Sequence, residues 1–203
     1  MILKVCGITN QEDCAAAIAG GATAIGFNFY PRSPRYIAPQ RAAEIASAPG
    51  VRRVGVFVNE DRKRVDEIIR IAALDVAQLH GDETSAEYPA AAPVWKAIRV
   101  GPDFRFGQLR QHDFDPSEAL LVDGPASGVP FQWSVAKSIW LTLHRPHRII
   151  LAGGLDVSNV AEAIATLHPW GVDACSRIES APGKKDHKKM TEFLQAARAA
   201  LLS

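Results

Sequence analysis

The stretch ILKVCGITNQEDCAAAIAGGATAIGF, residues 2–27, decides the architecture. It begins with an apolar, β-branched run, ILKV (2–5). An alanine-rich stretch over 10–19 follows with helical spacing, and a second apolar run, TAIGF (23–27), closes the unit. Thr9 with Glu12 fits a capping box, in which the hydroxyl takes one free backbone N–H and the carboxylate another. Gly20-Gly21 supply a left-handed helix end at low steric cost. Two strands joined by a helix run parallel, because a return to the same edge of a sheet needs a crossover.

The same rhythm continues to the C-terminus. Further strands are expected at RRVGVFV (52–58), DVAQL (75–79), VWKAI (94–98), ALLV (119–122), RIILA (148–152) and GVDA (171–174), eight with the first two. Helices are expected near 10–19, 39–47, 60–73, 83–90, 103–111, 133–142, 157–167 and 186–201. Asn59 ahead of Glu60-Asp61, and Asp156 ahead of 157–167, are placed as N-caps. The strands are nearly continuous apolar runs, as expected where both faces are covered. Eight units in 203 residues, about 25 residues each, fall at the small end of the α/β class built as a (β/α)₈, or TIM, barrel. A doubly wound open sheet is the rival, but it carries about five or six strands, and no GxGxxG follows a strand here. With no linker, charge block or low-complexity segment, residues 1–203 read as one barrel domain.

Composition narrows the function. Apolar residues at 47% and charged residues at 22% exclude a mainly disordered chain. Basic residues number 23 against 22 acidic, a formal net charge of +1, which gives nucleic acid or an anionic membrane no footing as main partner. No run approaches the ~18 consecutive apolar residues of a membrane span. The N-terminus is too short and too soon polar for a secretory signal. Three cysteines, Cys6, Cys14 and Cys175, form no CxxC pair and no even disulfide set, which fits a reduced, cytoplasmic chain.

In a βα barrel the active site lies at the C-terminal ends of the strands. The residues just beyond those ends are polar or reactive in this chain: Cys6-Gly7, Asn28, Asn59, His80-Gly81, Arg99, Asp123, Gly153-Gly154 and Ser176-Arg177. Cys6 is either a small buried hydrophobe or a base, and only its thiolate can take a proton. Asp123 is an acid/base group or a cap for the next loop. Gly153-Gly154, between a strand and a helix, suits an anion or is a tight turn. Arg35, stiffened by Pro31, Pro34 and Pro39, grips a carboxylate or phosphate, or is a solvated loop residue. His80 reads as a hydrogen-bonded structural histidine, and Cys14 and Cys175 read as structural. His144 and His147 flank a proline at the opposite end. No residues have metal-ligand spacing. Lys184, Lys185, Lys188 and Lys189 read as a solvated helix start.

Taken together, KVCGIT (4–9), IGFNFYPRSPR (25–35), VGVFVN (54–59), QLHGDE (78–83), LLVD (120–123), LAGGL (151–155) and GVD…E…PGKKD (171–186) resemble the phosphoribosylanthranilate isomerases of tryptophan biosynthesis. The pieces occur in the family's order and span almost the whole chain. The resemblance implies a minimal (β/α)₈ barrel with no cofactor and no metal, acting on a small-molecule substrate, and leaves monomer or homodimer open. It implies an Amadori rearrangement of N-(5-phosphoribosyl)anthranilate to 1-(2-carboxyphenylamino)-1-deoxyribulose 5-phosphate. Cys6 matches the family's general base and Asp123 its general acid. Arg35 matches the arginine expected at the anthranilate carboxylate. His80, Gly153, Gly154, Asp173, Ser176 and Arg177 join it as substrate-binding positions.

The chain also departs from the family pattern. A Gly-Gly-[Thr/Ser]-Gly stretch before F-D-W reads here as 124–133, GPASGVPFQW, with Gln132 for the aspartate. The motif D-x-S-S-G-x-E reads Asp173-Ala174-Cys175-Ser176-Arg177-Ile178-Glu179, so Arg177 replaces a glycine. Arg177 either points outward, adds its charge to a phosphate, or crowds the anion site. The rivals are another phosphosugar aldose–ketose isomerase on the same barrel, and a barrel that binds a phosphorylated ligand without catalysis. The presence of both Cys6 and Asp123 argues against the second.

Overall fold

In the computed structural model, which describes residues 1–101, 104, 114, 116–124, 138 and 148–201, the apolar runs form eight parallel strands that close on themselves. They are β1 (Ile2–Cys6), β2 (Ala24–Asn28), β3 (Arg52–Phe57), β4 (Val76–Leu79), β5 (Val94–Arg99), β6 (Ala119–Asp123), β7 (Ile149–Ala152) and β8 (Gly171–Ala174). Each falls within about a residue of the run expected to form it. Closure is made by β1 against β8, with Lys4 opposite Asp173 and Val5 opposite Ala174.

Around the strands lie α1 (Gln11–Ala19), α2 (Pro39–Glu44), α3 (Arg62–Ile71), α4 (Val160–Leu167) and α5 (His187–Ala199). The helix expected over 83–90 is a single 3₁₀ turn, Ser85–Glu87. Tyr88 is extended because Pro89 follows it, and Asp66 takes the backbone N–H groups of Ala90 and Ala91. The helices expected at 103–111 and 133–142 fall almost wholly outside the described residues, as do His144, His147, Gln132 and the loop 125–130. Among the described residues no helix is long and apolar enough to cross a membrane.

Three caps differ from expectation. Asn10, not Thr9, caps α1 by accepting from the Asp13 N–H at 2.8 Å, because the Thr9 hydroxyl donates to the Gly183 carbonyl. Asp61, not Asn59, caps α3. Asn59 is left-handed (φ 51°) and accepts from the Asp82 N–H. Asp156 caps only the turn before α4, accepting from the Ser158 N–H at 2.8 Å. The lysine run is also divided. Glu179–Ala181 (β9) and Lys184–Lys185 (β10) form a hairpin that buries Lys185, and α5 begins after it with Asp186 as cap.

Strand side chains alternate between the barrel's interior and its helix-facing side. The outward set, including Leu3, Val5, Ile25, Phe27, Leu120 and Val172, packs under the helices. The inward set forms a separate core at the strands' N-terminal end, with Ile2, Val54, Val76, Trp95, Leu121 and Ile150. Trp95 meets the edge of Trp170 and donates to Glu118, so that end is sealed. One step up β1, β4 and β8 the inward positions become polar: Lys4, Gln78 and Asp173 are buried there.

Candidate active site

Two residues further along the same alternation, the inward positions reach the strands' C-terminal ends and open on a cavity of about 630 Å³. Cys6 arrives from β1, His80 from just beyond β4 and Asp123 from β6. Arg35, Gly153, Gly154, Asp173, Ser176 and Arg177 line the same space. The structure thus brings together every site residue named from the sequence, and Cys6 and Asp123 face one compartment.

The wall made by β1 and β8 is dense in charge. Beneath Cys6, Lys4 Nζ meets Asp173 Oδ2 at 2.8 Å, both side chains buried. Burial pushes the Asp173 carboxyl up to about 7, against the pull of Lys4. Burial opposes the Lys4 ammonium as well, but Asp173 and the Cys6 sulfur outweigh it and hold the proton on. The Cys6 thiol is brought well below the ordinary cysteine range. A hydrogen bond from Cys175 is the main cause; burial works against it, and Lys4 and Lys185 add positive charge. Cys175 is correspondingly pushed well up, first by that hydrogen bond and then by burial. Lys185 Nζ lies 3.8 Å from Cys175 Sγ and 3.0 Å from Glu179 Oε1.

Arg35 reaches this wall across Gly7. A side chain at Gly7 would stand 2.8 Å from Arg35 Cδ, and its φ of 77° favours glycine in any case. Glu179 fixes the guanidinium through Nε (2.9 and 3.1 Å) and Nη2 (2.7 Å). Among the described residues Nη1 has no hydrogen-bond partner, so one edge of the guanidinium is left for an anion.

The opposite wall is simpler. His80 Nε2 lies 3.0 Å from Asp123 Oδ2, and Gln78 Nε2 lies 3.0 Å from His80 Nδ1. With the amide donating to Nδ1, the imidazole proton sits on Nε2 and points at Asp123. His80 is therefore linked directly to Asp123. The Asp123 side chain is 27% exposed. Gly153 makes room beside it: a Cβ there would stand 2.3 Å from the Gly124 nitrogen and 3.0 Å from Asp123 Oδ1, and φ is 85°.

Between the walls lie the loops after β7 and β8. Gly153 and Gly154 present backbone to the cavity, and Ser176 begins the 3₁₀ turn Ser176–Ile178. Arg177 is held by Asp156, Nε to Oδ2 at 2.6 Å, with its side chain 41% exposed. Its charge is thus compensated within the protein, and it neither fills the cavity nor offers a free cation to it.

Sequence reasoning missed four contributors: Lys4, Cys175, Lys185 and Glu179. Strand alternation alone would have found Lys4 and Cys175, because Lys4 lies one inward step below Cys6 and Cys175 one above Asp173. Lys185 had no such signal, since its place depends on the β9–β10 hairpin folding back.

Comparison with known proteins agrees with this geometry. The family model described as N-(5'phosphoribosyl)anthranilate (PRA) isomerase matches residues 3–196. An N-(5'-phosphoribosyl)anthranilate isomerase of Solibacter usitatus is 63% identical over 207 residues, covering 99% of each chain. The crystal structure of the phosphoribosyl anthranilate isomerase from Thermus thermophilus superposes with a TM-score of 0.86 at 37% identity, covering 98% of this chain and 99% of that one. A phosphoribosyl anthranilate isomerase in complex with reduced 1-(o-carboxyphenylamino)-1-deoxyribulose 5-phosphate gives 0.81 at 34% identity, covering 98% and 100%.

Proposed function

The chain belongs to the phosphoribosylanthranilate isomerase family, and from that premise we propose that Cys6 and Asp123 are its general base and general acid. It isomerises N-(5'-phosphoribosyl)anthranilate in tryptophan biosynthesis. Asp123 protonates the ribose ring oxygen as the C1–O bond breaks, and the anilino nitrogen's lone pair forms a protonated Schiff base. That positive nitrogen acidifies the C2 proton, which the Cys6 thiolate removes to give an enolamine. Tautomerisation then gives the ketone. Each such transfer is worth roughly 10²–10⁴ in rate.

The remaining residues bind. Arg35 takes the anthranilate carboxylate with the edge that Glu179 leaves open. Gly153, Gly154 and Ser176 take the phosphate through backbone N–H groups and a hydroxyl, and holding the phosphate far from the reacting bonds anchors the sugar. Asp173 acts from beneath, through Lys4 and Cys6. Arg177 adds little, being paired with Asp156. One observation carries this reading: the Cys6 thiol and the Asp123 carboxyl, the latter hydrogen-bonded to His80, line one cavity. Complementation of a tryptophan auxotroph lacking the isomerase tests it. The native chain restores growth, whereas Cys6→Ser and Asp123→Asn do not. Growth with either variant equal to the native chain's would refute the assigned roles.

A further inference from the structure

Cys6 and Cys175 occupy neighbouring positions on neighbouring strands. β1 and β8 are in register at Lys4–Asp173 and Val5–Ala174, and one further step along both strands brings Cys6 opposite Cys175. Alternation turns both the same way as Lys4 and Asp173, whose 2.8 Å ion pair lies inside the barrel. Adjacent strands stand about 4.8 Å apart, within the roughly 4.4–6.8 Å Cα separation that a disulfide spans. Both sulfur-bearing residues line the cavity. Lys185 Nζ is 3.8 Å from Cys175 Sγ, and Lys4 and Arg35 add positive charge nearby. Thiols in an electropositive, reachable setting are the ones oxidants attack. Cys14 lies away from this cavity: it is fully buried on α1, and its Sγ donates to the Ala46 carbonyl. The motif D-x-S-S-G-x-E, from which this chain also departs at Arg177, has serine at position 175, so the pair is a feature of this chain rather than of the motif.

We propose that a peroxide oxidises Cys6 and Cys175 to a reversible disulfide that switches the isomerase off. The loss of activity rests on Cys6 being the base; formation of the disulfide does not. The Cys6 thiolate attacks one oxygen of hydrogen peroxide, the O–O bond breaks, and a sulfenic acid and hydroxide result. The Cys175 sulfur then attacks the sulfenic sulfur, the S–O bond breaks, and the thiol proton leaves with the hydroxyl as water. The two sulfurs together lose two electrons, and peroxide gains them, ending as water and hydroxide. Dithiothreitol reverses the step by thiol–disulfide exchange.

The test treats the purified protein with graded hydrogen peroxide, blocks free thiols, maps cross-linked peptides by mass spectrometry and assays the isomerase before and after dithiothreitol. A peptide pair joining Cys6 to Cys175 is expected, in a fraction that matches the activity lost, with activity returning on reduction. In Cys175→Ser the pair is absent, and at high peroxide the loss persists after dithiothreitol, because an unprotected sulfenic acid oxidises further. Failure to find the Cys6–Cys175 link at a peroxide level that consumes the Cys6 thiol overturns the proposal. A complete link with activity intact overturns the switch and the role of Cys6 as base, while leaving the disulfide standing.

Discussion

The wall formed by β1 and β8 carries Lys4 and Asp173, and the β9–β10 hairpin adds Lys185 and Glu179, all buried, near a thiol biased towards its anion. The wall formed by β4 and β6 carries Gln78, His80 and Asp123, linked in a row by two 3.0 Å contacts, with Asp123 still in touch with solvent. The contrast fits the roles proposed for Cys6 and Asp123. Taking a proton from carbon needs an anion that is stable before the substrate arrives, and Cys175 first, with the positive charge of Lys4 and Lys185, favours that anion against the cost of burial. Giving a proton to oxygen needs a group that reloads from water each turnover, which a partly exposed carboxyl on a histidine can do.

The largest effects lie at the tips of the two walls. Cys6→Ser and Asp123→Asn each lower kcat by about 10²–10⁴, measured by single-substrate kinetics. Equal losses would mean both walls act in the chemical steps; a loss confined to Cys6→Ser would reduce the β4–β6 wall to binding. Next comes the support under Cys6. Lys4→Met leaves Asp173 buried without its cation, which costs about 3–5 kcal/mol in denaturant unfolding at roughly pH 8. The deficit shrinks towards roughly pH 5.5. Burial raises Asp173 to about 7 in the native state, against about 3.9 unfolded. A carboxyl so raised favours the fold fully below the lower value and loses that contribution as pH rises through the higher one, so in acid it is neutral and has little need of Lys4.

On the β4–β6 wall, His80→Ala is expected to lower kcat about tenfold, about 1.4 kcal/mol, by freeing Asp123 to rotate. Unchanged kcat would return His80 to a structural role. The smallest effect is at Arg177, which lies between the walls. Arg177→Gly shifts KM by less than about fivefold, because a half-exposed pair with Asp156 is worth no more than about 1 kcal/mol. A larger rise in KM would mean that the guanidinium leaves Asp156 for the phosphate.

Much of this was legible in the chain, and the gaps have physical causes. The eight strands are strongly apolar on both faces, so their positions needed no tertiary information. Given one inward residue per strand, alternation also gives the cavity rim, including Cys6 and Asp123. Caps were less certain because Thr9 and Asn10 are both competent; a distant carbonyl, that of Gly183, took the threonine and left the cap to its neighbour. The helix expected over 83–90 failed at Pro89, whose effect on Tyr88 outweighed a weak local preference. Lys185 and Arg177 were opaque for another reason. Both are ordinary surface residues by composition, and only folding brings Glu179 to one and Asp156 to the other.

A crystal structure with the reduced product analogue bound would test the division of labour most directly. The expected result has C2 of the sugar within van der Waals reach of Cys6 Sγ and the former ring oxygen hydrogen-bonded to Asp123, with the carboxylate on Arg35 and the phosphate against Gly153-Gly154. A ligand lying with C2 turned from the sulfur, or with Asp123 still on His80 and far from the sugar oxygen, would contradict it.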